Sequence, residues 1–100
     1  MRLDILAEAA ADIKEITNWY KDISQLLAVR FVAQLYNGFE KITSNPDAFF
    51  NLSKRVKRYH LADFPYLILF FKRDSETVVV FAVIHERRSP REWKRRMMNK

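Results

Sequence analysis

Two apolar runs, Tyr66-Leu-Ile-Leu-Phe-Phe71 and Thr77-Val-Val-Val-Phe-Ala-Val-Ile84, constrain the fold more than any other feature of the chain. Neither alternates with polar residues as a half-solvated strand would, so each reads as a strand buried on both faces. The residues between them, Lys72 to Glu76, are polar and mark a hairpin turn. A chain of 100 residues has room for one core, which defines a single domain over 1–100. Folding at this length hides roughly two-thirds of the unfolded surface, enough for stability without metals or disulfides.

The first half has a different period. Arg2–Leu6 reads as a short opening strand. From Glu8 a helix begins, with Ala9, Ile13, Ile16 and Tyr20 forming one stripe. Asp22 followed by Gln25 resembles a capping box and predicts the start of a second helix. Ala28, Val32, Leu35, Phe39 and Ile42 line its face, with Phe31 and Tyr36 broadening it. Asn45-Pro46 stops it, since the residue before proline is pushed out of the helical region. Gly38 inside that helix predicts a close contact with a neighbouring element. A strand over Arg55–Leu61 precedes the hairpin. After it, Ser89-Pro90-Arg91-Glu92 offers a cap, a first-position proline and an acidic third position for a helix over Pro90–Met97. The predicted class is α+β: strand, two helices, three strands and a short C-terminal helix, with the two helices packed on a small antiparallel-rich sheet.

Composition removes several function classes. The chain has no cysteine, which excludes disulfides, thiolate nucleophiles and zinc–thiolate sites and fits a cytoplasmic setting. A single glycine excludes a Gly-rich phosphate loop. His60 and His85 stand apart from any metal-ligand spacing, no serine lies on a nucleophile elbow, and no paired carboxylates suggest themselves. Neither a metal nor a cofactor is expected. Asp4, Glu8 and Asp12 interrupt any export signal, and no apolar run is long enough to span a membrane.

Charge is distributed unevenly. Residues 1–53 carry five Lys/Arg against seven Asp/Glu, net −2, whereas residues 54–100 carry thirteen against five, net +8. Two basic groups account for the excess. Lys54, Arg55, Lys57 and Arg58 adjoin the second strand, where alternation puts Lys54 and Arg58 on one face and Arg55 and Lys57 on the other. His85, Arg87 and Arg88 leave the last strand and lead into Arg91, Trp93, Lys94, Arg95 and Arg96. Brought together in one sheet, such groups can hold a phosphate, stack a base and donate a proton. A solvated basic surface is the plain alternative, and for Trp93 a packing plug at the sheet edge is preferred to a binding role.

In order and spacing, five fragments resemble the RelE/ParE toxin superfamily: the helix ending Trp19-Tyr20, Arg30-Phe31, Ile42-Thr-Ser-Asn45-Pro46, Phe64-Pro65-Tyr66, and His85-Glu-Arg87-Arg88 before Pro90 and Trp93. The resemblance implies the growth-inhibiting toxin of a type II toxin–antitoxin module, of the kind that stabilises plasmids, acting in the bacterial cytoplasm and neutralised by a cognate antitoxin protein. It implies two alternative targets. RelE-like members are metal-independent, ribosome-dependent mRNA endonucleases, and for that activity His85, Arg87 and Arg88 are the candidate catalytic residues. ParE-like members inhibit DNA gyrase and need no hydrolytic residues. The RelE pattern has an arginine near the start of the central strand, but residues 59–71 here contain neither Lys nor Arg. The ParE-like branch is therefore favoured. Target-binding residues are expected among Lys54, Lys57, Arg58, Arg91, Trp93, Lys94, Arg95 and Arg96. A third reading is a plain basic nucleic-acid-binding domain. The C-terminal helix is expected to dock Trp93 inward and project Arg91, Lys94, Arg95 and Arg96 outward, so that deleting residues 94–100 spares folding.

Overall fold

In the computed structural model, which describes residues 1–100, the apolar hairpin is the centre of a five-stranded sheet. The strands are β1 (Arg2–Ile5), β2 (Phe50–Asn51), β3 (Lys57–His60), β4 (Tyr66–Lys72) and β5 (Thr77–His85), in the order β1-β5-β4-β3-β2. β1 runs parallel to β5 and the other pairs are antiparallel. The helices are α1 (Ala7–Ile23), α2 (Gln25–Ser44) and α3 (Pro90–Met97). The α+β class and element order agree with the sequence reading. The two-residue β2 and the single 3-10 turn at Pro46–Ala48 are additions too short to leave a periodic signal.

The sheet is covered on both sides, which is why β4 and β5 are apolar throughout. One face packs on α1 and α2 through Phe31, Leu35, Ile42, Ile68, Phe70, Val78 and Val80. The other holds Leu67, Leu69, Phe71, Val79, Phe81 and Ile84 beneath Trp93 of α3. Trp93, 6% exposed, is thus a packing residue as preferred, but it lies over a face of the sheet and not at its edge. β5 carries a bulge: Leu69 pairs with Ala82 and Phe70 with Val80, so Phe81 is the extra residue.

Three local expectations are corrected. The turn between α1 and α2 is not capped at Asp22, which lies in the last turn of α1. Ser24 caps α2, its Oγ accepting from the Leu27 N–H at 3.4 Å. Tyr36 does not join the core but lies 66% exposed. Lys54 and Arg55 precede β3 in an irregular segment, so strand alternation does not reach them. Arg55 consequently lies over the ring of Phe71, on the α3 side of the sheet.

Candidate functional site

The His85 end of β5 opens into a cleft of about 820 Å³ between α1, the sheet and α3. Its walls carry Asp12, Glu15, Trp19 and Asp22 from α1, Tyr66 and His85 from the strands, and Arg88, Glu92 and Arg96 from the C-terminal segment. Asp12, Glu15, Trp19 and Asp22 recur at helical spacing and form a polar stripe of α1 beside the buried one, with Asp12 at its inner margin. Four carboxylates therefore face two arginines.

Both arginines are already neutralised. Arg88 Nη1 lies 2.5 Å from Glu92 Oε2, one turn along the same segment. Arg96 makes a two-pronged pair with Asp12, at 2.6 and 2.9 Å, with both side chains less than one-fifth exposed. Arg96 therefore does not project outward as the sequence reading expected. β5 runs on beyond the end of β1, leaving backbone groups without a strand partner. Asp12 Oδ2 accepts from the Val83 N–H at 2.9 Å, and Arg96 Nη1 donates to the Phe81 carbonyl at 3.2 Å. One ion pair thus completes the hydrogen bonding of the bulged strand and ties α1, β5 and α3 together.

The three candidate catalytic residues have separate surroundings. His85 Nδ1 accepts the Arg87 backbone N–H at 3.1 Å, and its ring meets Tyr66 edge-on. Arg87 has no side-chain partner, and Arg88 faces Glu92. Burial raises the Tyr66 hydroxyl above its ordinary range, which keeps it protonated. Lys57 and Arg58 stand opposite Phe70 and Leu69, which in turn meet Val80 and Ala82. The basic end of β3 is therefore aligned with the middle of β5 and away from His85. At the other end of β3, His60 pairs with Glu86 at 2.9 Å. Of the remaining sequence candidates, Lys54, Arg91, Lys94 and Arg95 are exposed and meet no carboxylate. No His, Asp or Glu cluster is arranged to hold a metal ion.

A sequence profile described as the ParE toxin of the parDE type II toxin–antitoxin system matches residues 3–90. The chain belongs to the ParE toxin family. Among solved structures, this toxin is similar to a chain of the chromosomal ParDE toxin–antitoxin system of P. aeruginosa. That likeness has a TM-score of 0.73 at 17% identity, covering 85% of the toxin and 95% of the other chain. At that identity it speaks for the fold. No curated protein sequence matches. Function follows the family: the protein is the toxin component of a type II module, of ParE type.

The toxin also has an apolar surface on its helices, several of whose residues the sequence did not single out. A groove of about 280 Å³ between α1 and α2 is walled wholly by apolar residues, among them Ile13, Val32, Tyr36 and Phe39. Beside it, Trp19, Ile23, Leu26 and Val29 are more than half exposed. The sequence contained the signal, since Leu26, Val29 and Tyr36 recur on one turn-spaced line of α2 outside the core stripe. No helix is long and apolar enough to cross a membrane.

Proposed function

We propose that this toxin arrests growth by engaging DNA gyrase, and that its cognate antitoxin neutralises it by covering the outer face of α1 and α2. The observation that carries the target is the charge of the His85 cleft. A ribonuclease centre must stabilise negative charge developing on a phosphoryl group, which requires free, converging cations. Here Arg88 and Arg96 are held by Glu92 and Asp12, and Glu15 and Asp22 add further negative charge to the walls. Such a cleft repels a phosphodiester. ParE membership and the absence of any Lys or Arg over residues 59–71 support the same reading.

The proposed antitoxin surface rests on the apolar groove and the exposed row beside it, since contiguous apolar surface of this kind marks a protein interface. A stable complex buries over about 1,000 Å², and an amphipathic segment laid along the helices reaches that area. Acidic residues of the same partner are suited to the basic C-terminal helix.

The test is direct. Induction should stop DNA replication before translation, and purified toxin should inhibit gyrase supercoiling. His85→Ala and the Arg87→Ala/Arg88→Ala pair should remain toxic. Rapid cleavage of translated mRNA with supercoiling untouched, lost in those variants, would overturn the gyrase reading in favour of the ribonuclease one.

A further inference from the structure

We infer that the β2–β3 edge of this toxin is a binding surface for a single nucleic-acid strand, in which Phe50 is the stacking platform and Lys54, Arg55 and Arg58 hold the phosphates. The inference begins from a contrast between arginines. Arg30, Arg73, Arg88 and Arg96 each meet a carboxylate. Arg55 and Arg58 do not. Arg58 lies over the Phe50 ring at 4.8 Å, and Arg55 over the Phe71 ring at 4.3 Å. Stacking on an aromatic face fixes the plane of a guanidinium without neutralising it. The result is an oriented cation still available to an anion.

The surroundings leave that charge uncompensated. Residues 48–62 contain four Lys/Arg and no Asp or Glu. The two carboxylates that flank the segment turn away from it, Asp47 to Lys72 and Asp63 to Gln34 and Arg30. Lys57 lies on the opposite face of β3 and takes no part, its Nζ held by the Asn51 Oδ1 at 2.5 Å and the Phe49 carbonyl at 3.2 Å. Arg55 donates to the Lys100 carbonyl at 2.9 Å. Lys54 is exposed.

Phe50 decides the class of ligand. It is the cross-strand partner of Arg58 on the outermost strand, and it is 63% exposed although both faces of the adjoining sheet are covered. An apolar ring left in solvent next to a stacked guanidinium offers a flat surface to an unpaired base, and every base has a face to stack. An acidic peptide would use the cations and have no need of the ring. Duplex DNA keeps its bases inside and would use the cations alone. The surface is separate from the His85 cleft and does not depend on which process the toxin stops.

The test is fluorescence anisotropy of the full toxin with a labelled oligothymidylate of about a dozen nucleotides, repeated over a range of salt. Three cations on phosphates predict a slope of log K against log salt of about −2 for a single strand. Phe50→Ala should weaken binding about tenfold and leave that slope unchanged. Lys54→Ala should reduce the slope by about a third. Lys94→Ala/Arg95→Ala on α3 should bind as the parent does. Because Phe50 is exposed, its alanine variant should melt with the parent, so lost binding is not lost folding. Three results would each overturn the proposal. They are an unchanged affinity in Phe50→Ala, displacement by polyglutamate as effective as by unlabelled oligonucleotide, and loss of binding in the α3 variant.

Discussion

Gly38 stands where α2 crosses the sheet, and a Cβ added there would come within 2.9 Å of Tyr59 Cε1 and 3.0 Å of Ile68 Cδ1. Alanine would gain roughly 1 kcal/mol of helix propensity. Against that, the Tyr59 ring is packed edge-on against Phe49 and has little room to move, and overpacking costs about 1–3 kcal/mol. Gly38→Ala is expected to lower stability by about 1 kcal/mol, and Gly38→Val by more, as read from urea midpoints. That a glycine inside a helix marks a close approach was legible in the sequence. Which side chain approaches it was not, because the partner lies on another element. Asp12 shows the opposite case. Along the sequence it is one more polar residue on α1, yet it satisfies both Arg96 and the Val83 N–H. Asp12→Ala leaves a mostly buried guanidinium and a backbone donor unmet, so a loss of about 3 kcal/mol is expected in chemical denaturation. Asp12→Asn should keep the backbone bond and recover part of it.

At the scale of elements, α3 is where reading and structure part most. Its cap and its buried tryptophan were legible, because Ser89, Pro90 and Trp93 act within one turn. Its tail was read as an outward, target-binding basic face, because seven basic residues against two acidic over 85–100 look like one. In the fold, Arg96 closes the bulge network, Met97 packs on the core beneath α3, and Lys100 reaches Glu8 at 2.7 Å. Deleting residues 94–100 should therefore lower the melting temperature markedly. An unchanged melt would show the Arg96–Asp12 pair to be energetically idle. A second link closes the far end of the sheet. His60 is raised above its ordinary 6.5, first by its hydrogen bond to Glu86 and then by the Leu61 carbonyl, against Arg58. Glu86 is lowered below 4.5, first by the same bond. A raised histidine contributes fully below about pH 6.5 and loses that contribution as pH rises through its folded value; the lowered carboxylate contributes above about pH 4.5 and loses it as pH falls. The pair therefore stabilises most between those limits, modestly because both side chains are about two-fifths exposed. His60→Gln should melt below the parent near pH 5.5, and the gap should close by about pH 8.

For the whole molecule, the two halves of the chain take different surfaces. The first half, net −2, supplies α1 and α2 with their apolar groove, and the second, net +8, supplies the basic strand edge and α3. A partner that covers the helices must bury apolar area, so a charge placed there should be costly to binding and nearly free to folding. Leu26 and Tyr36 are each 66% exposed and lie outside both cores. Leu26→Glu/Tyr36→Glu is expected to melt within a degree or two of the parent and to remain toxic when expressed alone. Co-expression of the cognate antitoxin, which restores growth with the parent, should fail to restore it with the variant. If rescue persists undiminished, the antitoxin lies elsewhere, and the basic outer side of α3 becomes the surface to test. If toxicity itself is lost while the protein stays folded, the outer face of α2 touches the target, and neutralisation works by competition for that face.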